Sequence, residues 1–310
     1  MQFKIEEIKG SKRFTGTAAS REDWINFTAI SGYVDRCEGH VLAGEKHDFN
    51  SSGESGRLDF HGTETKEEWE DLMRNGWSEG AAKAAEMCKE IEGTVASLRK
   101  VQECELKDEG DEIDIDAFLA GEENHWYQYP ERDTPAKRSK IVRLGLNISC
   151  SAFYQANQLM WRGVIATALT EILQSHGYQV EITVYSQTTS SGKFAEGKRG
   201  AKGSHAIFSF PAKSAGEKIL PERLASLIGH PSAFRRGFFS AREKLPAEKF
   251  HEFISPRSNG WGYGQSIYRQ LIDKKFDICL GESELVADAR SAVDRLKTIL
   301  DQSGLLKKAD

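Results

Sequence analysis

Cysteine and proline are scarce in these 310 residues, at 5 and 7. Cys37, Cys88, Cys104, Cys150 and Cys279 are odd in number, widely spaced and never in a CxxC pair. That pattern argues against a zinc ribbon or a disulfide framework and for a reducing cytosol. No apolar run approaches the roughly 20 residues of a membrane span. The opening MQFKIEEIKGSKRF lacks the apolar stretch of a secretory signal. The expectation is a cytoplasmic chain with no membrane partner. Catalytic signatures are missing too. No G-x-S-x-G elbow surrounds Ser149 or Ser151, and His176, His205 and His230 are scattered along the chain. No glycine-rich segment matches a phosphate loop or a dinucleotide loop. The nearest in composition, Gly197–Gly203, precedes a strand pattern and no helix. These absences exclude the common hydrolase and nucleotide-binding classes, so neither an enzyme nor a cofactor is expected.

What is present is a soluble composition, 39% apolar, with length for two domains. The net charge of −5 is unevenly spread. Residues 64–123 hold 19 acidic and 7 basic residues, so the remainder is net basic. Two readings stand: helix faces of differing charge, or a polyanion partner for the body with an acidic segment that mimics it.

The clearest pattern lies at 140–186. Ile141–Ser149 is apolar and partly β-branched, a helical pattern runs from about Ala152 to His176, and Gly177 is a stop signal. Tyr178–Tyr185 alternates as a second strand. A strand, a long helix and a strand predict a βαβ unit with a parallel sheet. Trp161, Val164, Ile165, Ala168, Leu169 and Ile172 are its expected buried face. His205–Phe210 and Phe276–Leu280 are further strands. Pro221 opens a helix, and Ser283–Leu300 reads as a final amphipathic helix. An α/β domain over 131–310 follows, with a smaller, mainly helical region over 1–130. The boundary falls in the proline-containing stretch Tyr127–Pro135.

In the N-terminal region Thr65-Lys-Glu-Glu68 has the form of a capping box, so a helix begins there and turns Trp69, Leu72 and Met73 inward. Gly76–Gly80 interrupts it. A second helix from Ala81 to about Glu105 carries Met87, Ile91, Val95, Leu98 and Val101 on one face. His40, His47 and Asp48 match no closed metal site, and Asp108–Asp116 lacks the glycine and glutamate spacing of a calcium loop. The first reads as a surface loop, the second as a charged connector.

The strand ending in Asn147-Ile-Ser149-Cys-Ser151, followed by a helix and a strand, resembles the start of a von Willebrand factor A domain. That resemblance implies a Rossmann-like sheet flanked by helices, with a divalent-metal site at the carboxyl end of its first strand. Asn147 stands where that family has an aspartate. A neutral amide supplies no charge to a hard dication, so Asn147, Ser149 and Ser151 form a degenerate site with no tight metal expected. A wider resemblance runs through Trp69, Gly76-Trp77-x-Glu-Gly80, Ala117–Gly121, Arg162-Gly163, Gly177-Tyr-x-Val-Glu181 and His230–Arg236. These residues are similar to an uncharacterised family of bacteriophage proteins. In phages that package a virion RNA polymerase, the resemblance implies single-stranded DNA-binding proteins that support replication and transcription in the host cytoplasm. It also implies a phage polymerase or replication protein as a partner.

Such a binder needs cations for phosphates and aromatic rings for bases. Gln187–Ser204 offers Lys193, Lys198, Arg199 and Lys202 against Glu196, with four glycines and Phe194. It reads either as a basic arm or as a surface loop. Lys137, Arg138, Lys140, Arg235 and Arg236 are further candidate cations, and Trp261 and Tyr263 candidate stacking groups. Phe234, Phe238 and Phe239 read as core. The alternative is a metal-free von Willebrand-like scaffold that presents its sheet edge to a protein.

Overall fold

The computed structural model describes residues 1–8, 11–28, 62–63, 65–98, 105–109, 112–128, 140–150, 154–190, 204–218, 220–243 and 276–305. In chain order the first elements are β1 (Gln2–Ile8), β2 (Ser11–Thr17), α1 (Arg21–Thr28), α2 (Lys66–Asn75) and α3 (Ser78–Leu98). Then come β3 (Glu105–Lys107), β4 (Glu112–Ile113), α4 (Ile115–Leu119) and β5 (Trp126–Gln128). The second half holds β6 (Ile141–Asn147), α5 (Ala156–Ser175), β7 (Gln179–Ser190), β8 (Ser204–Lys213), α6 (Pro221–Leu224), α7 (Phe239–Glu243), β9 (Ile278–Leu280) and α8 (Ala289–Ser303). Between α6 and α7 the chain makes two wide-turn π-helical segments, Ala225–Gly229 and Ala233–Phe238.

The protein is a mixed α/β fold built on a six-stranded sheet of order β1-β2-β8-β7-β6-β9. The expected βαβ unit is its middle. Val142, Leu144, Leu146 and Asn147 are buried, so β6 is a central strand. α5 crosses back to β7, which lies parallel to β6 with Asn147 beside Tyr185. Trp161, Val164, Ile165, Ala168, Leu169 and Ile172 are all buried, and α5 is covered on nearly every side. It stops at Gly177, whose φ of +81° suits glycine. β9 joins β6 on its other side, also parallel.

The sheet is not wholly parallel, and here the structure departs from the sequence reading. β8 returns antiparallel to β7, and β1 is antiparallel to β2, while β2 runs parallel to β8. β7 also runs five residues past Tyr185. Ser186–Ser190 pair with Phe208–Ser204, so the first residues of the expected arm are strand. Threonine's branched Cβ suits a pleated strand, which lets Thr188 and Thr189 extend β7 without large apolar side chains.

The N-terminal region is likewise not a separate helical unit among the described residues. β1 and β2 add to the main sheet, and Phe14, Trp24, Trp69, Met73 and Met87 are buried in one apolar cluster with Leu144, Ile165, Val184 and Phe208. A division at residue 130 therefore cuts through a shared core. The capping box forms as its sequence requires. Glu68 N donates to Thr65 Oγ1 at 3.1 Å, and Thr65 N reaches the Glu68 carboxylate at 3.5 Å. Trp69 is then driven inward beside Gly237, where a Cβ would meet its ring at 3.2 Å. Trp24 stacks on Phe210 at 5.0 Å and meets the Phe238 ring at a tilt, 4.4 Å away. Such aromatic pairs each add about 1 kcal/mol beyond the area they bury. Phe234 and Phe238 are core, as their spacing indicates, while the side chain of Phe239 lies outside the described residues.

A second, three-stranded sheet, β3-β5-β4, carries α4 on the acidic stretch. Three apolar side chains of this helix face outward: Ile115, Phe118 and Leu119 are 64, 53 and 75% exposed, while Ala117 is buried. Among the described residues no helix is long and apolar enough to cross a membrane.

Candidate nucleic-acid interface at the carboxyl edge of the sheet

β6, second from one edge of the sheet, ends at Asn147, with β7 on one side and β9 on the other. The strand order reverses about β6 here, and in open α/β sheets the crevice beyond the strand ends at such a point is the usual ligand position. Polar groups converge on it. Ser149 N donates to Asn147 Oδ1 at 3.1 Å, closing a local turn that uses the amide oxygen. The Ser149 hydroxyl lies 2.9 Å from Ser186 Oγ, donates to Gln187 O at 3.2 Å and accepts from Gln187 N at 3.0 Å. Asn147 and Ser149 of the degenerate metal triad are thus spent on the chain itself, and Ser151 lies outside the described residues. Among the described residues no three His, Cys, Asp or Glu side chains come together as a metal site.

Three arginines surround this strand end. Arg162, on α5, is 1% exposed and donates to the carbonyls of Asn147 at 3.1 Å and Ile148 at 3.4 Å. Its Nε meets no protein hydrogen-bond partner. Burial lowers the Arg162 pKa, opposed by Cys150, Glu284 and Glu282, with Arg235 adding to the lowering. Arg242 donates to Ser186 Oγ at 2.5 Å and lies 5.4 Å from the centre of the Phe234 ring. Arg235 donates to the carbonyl of Tyr154 at 2.9 Å, and burial lowers its pKa as well. Between Arg162 and Arg235 sits Cys150, whose thiol burial pushes up despite both cations. The nearby Glu284 is fully buried but already bound to Arg295 at 2.5 Å.

The same edge also receives the basic stretch. β7 ends at Ser190 and β8 begins at Ser204, and the two pair to that limit. Ser190 and Ser204, which flank Lys193, Phe194, Lys198, Arg199 and Lys202 in sequence, therefore both lie at the carboxyl edge. Those five residues themselves lie outside the described residues, as do Lys137, Arg138, Trp261 and Tyr263. Lys140 is described. It is exposed at the amino end of β6, where its carbonyl accepts from Gln179 N at 3.1 Å. The twelve residues of β7 separate it from Ser190, roughly 36 Å at the usual strand rise. Lys140 and Ser190 belong to opposite edges.

Arg235 and Arg236 are not surface cations. They are 3 and 8% exposed, and Arg236 donates to the Thr63 carbonyl at 2.9 Å. Main-chain carbonyls left over at loops and strand ends draw guanidiniums inward, because a buried carbonyl without a donor is costly. Arg162 and Arg242 went unnoticed among the sequence candidates. Arg162 had a signal: it is the one charged residue between Ala156 and Thr170, in a helix otherwise without charge over that span.

His176, His205 and His230 are far apart in role. Burial lowers the His205 pKa, with Arg13 adding to it. Burial also lowers His230 to about 4, and its Nδ1 lies 2.6 Å from Ser232 Oγ and accepts from Ser232 N at 3.2 Å. That nitrogen is closing a local turn, and Trp77 packs edge-on against the ring at 4.5 Å.

A family model described as a domain of unknown function, DUF7192, matches residues 18–307. No curated protein and no solved structure matches the chain.

Proposed function

We propose, taking as premise that the chain belongs to the DUF7192 family, that it is a non-enzymatic single-stranded DNA-binding protein. The observation that carries this reading is the β7–β8 ribbon. It is paired up to Ser190 and Ser204, so the segment that holds four basic residues and Phe194 is flanked by two strand ends at the carboxyl edge of the sheet. Basic residues neutralise phosphates and release counterions, and an aromatic ring inside a basic segment stacks on a base for about 1–3 kcal/mol. A flexible single strand can follow a narrow edge that a stiff duplex cannot. The setting implied by the phage resemblance is replication or transcription in the host cytoplasm. The fold reading that goes with it is von Willebrand factor A-like, supported by the β6–α5–β7 unit with Asn147 at its strand end.

The test is a fluorescence-anisotropy titration of the full chain with single-stranded DNA, duplex DNA and RNA of one length, at two salt concentrations. Binding should be tightest to single-stranded DNA and weaker at the higher salt. No binding to any of the three overturns the reading.

A second reading, a metal-free protein-interaction scaffold, is favoured by the outward Ile115, Phe118 and Leu119 on α4. It predicts a protein partner whose binding is lost when Phe118 and Leu119 become Ser, with no affinity for single-stranded DNA.

A further inference from the structure

We infer that β1 is a self-association edge, where a second copy of this chain adds its own β1 antiparallel and continues the sheet. β1 is the terminal strand of the six, and among the described residues it pairs on one side only, with β2. Its other side presents main-chain donors and acceptors to solvent over seven residues, Gln2–Ile8. An edge of that length is a template for another strand unless its side chains forbid it.

The side chains forbid most partners and one register at a time. Alternation puts Phe3 and Ile5 on the face that Phe14 shares, and Gln2, Lys4 and Glu6 on the other. Phe3 and Ile5 remain 52 and 47% exposed, although the Phe3 ring lies 5.5 Å from Phe14 and 5.7 Å from Phe27. They are the open rim of a core face rather than isolated surface groups. On the opposite face Lys4 bridges Glu6 at 2.5 Å, and Arg13 binds the same carboxylate at 2.5 Å. These neighbours lower the Glu6 pKa to about 2, so its charge persists at any ordinary pH.

A two-fold antiparallel pair that keeps both faces in line must centre on one residue of the strand. Centred on Lys4, it sets Lys4 against Lys4 of the second copy. Centred on Glu6, it sets two carboxylates together. Centred on Ile5, it pairs all seven residues, places Ile5 on Ile5, sets Phe3 against Glu7, and sets Lys4 against Glu6 of the second copy twice. The four charges then alternate in sign around the axis. Directly opposed unlike charges stabilise a strand pair and like charges destabilise it, so charge selects the Ile5-centred register. This self-complementarity is what commits the edge to a second copy rather than to an unrelated strand.

Sedimentation velocity on the full chain without DNA tests this and is independent of the nucleic-acid reading. The wild type should show a concentration-dependent dimer. Lys4→Glu alone places Glu opposite Glu at both positions, and Glu6→Lys alone places Lys opposite Lys; each should weaken the dimer by about ten-fold. Mixed in equal amounts, the two variants face each other with unlike charges at both positions, and dimer should return. Circular dichroism melts show whether each variant keeps its fold before mixing. A wild type that stays monomeric to high micromolar concentration overturns the inference. So does a dimer indifferent to both substitutions, or a mixture of folded variants that fails to recover it.

Discussion

The carboxyl edge of the main sheet and the small β3-β5-β4 sheet treat side-chain polarity in opposite ways. At the first, the charged Arg162 is 1% exposed; on the second, the apolar Leu119 is 75% exposed. Residue type alone assigns both to the wrong side. At the carboxyl edge, β6 stops while still inside the core, so the carbonyls of Asn147 and Ile148 need donors and α5 supplies a guanidinium. The small sheet has strands of two and three residues and a helix of five. It has too little area to cover three apolar side chains. Unmet main-chain groups, in one case, and insufficient cover, in the other, decide what is inside.

The sharpest way to break that contrast lies within α5. Ile165→Asp puts on the same buried helix a carboxylate, an acceptor that the buried carbonyls cannot meet. It should unfold the protein, at a cost of about 4 kcal/mol or more. A soluble variant with an unchanged melting temperature would mean that burial on α5 is not what the fold depends on. Arg162→Ala is expected to have the next largest effect, about 2–3 kcal/mol by urea titration, because two buried carbonyls lose their donors. A change within 0.5 kcal/mol would assign those carbonyls to other partners. On the small sheet, Leu119→Ser should stay within about 0.5 kcal/mol, since an exposed side chain loses little. A larger loss there would mean that α4 is packed against something.

Local patterns were the readable part of this chain. The Thr65–Glu68 capping box needs only four consecutive residues, and both of its bonds form. The βαβ unit is legible because its helix repeats apolar residues over most of its 20 positions, β6 is a short apolar run and the first part of β7 alternates. What was not legible is set by distant partners. Nothing in Phe3–Thr17 announces that β2 will lie beside β8, some 190 residues later. The antiparallel return of β8 and the extension of β7 through Thr188 and Thr189 depend on that neighbour as well. At the site, the basic composition of 191–203 is plain in the sequence, but that the flanking Ser190 and Ser204 pair at the carboxyl edge is known only from the β7–β8 ladder. Arg235 and Arg236 read as phosphate-binding groups because arginine is usually exposed. Their carbonyl partners, at Tyr154 and Thr63, lie 81 and 173 residues away.

The central claim, that the basic connection between β7 and β8 binds single-stranded DNA, is tested most directly by its charge. Lys193, Lys198, Arg199 and Lys202 are changed together to Ala, and binding to one single-stranded oligonucleotide is followed by anisotropy across a salt series. The account predicts an unchanged melting temperature and strongly weakened binding. It also predicts a plot of log affinity against log salt that is shallower by up to about 0.7 for each phosphate no longer neutralised. Wild-type affinity with the wild-type slope would contradict it.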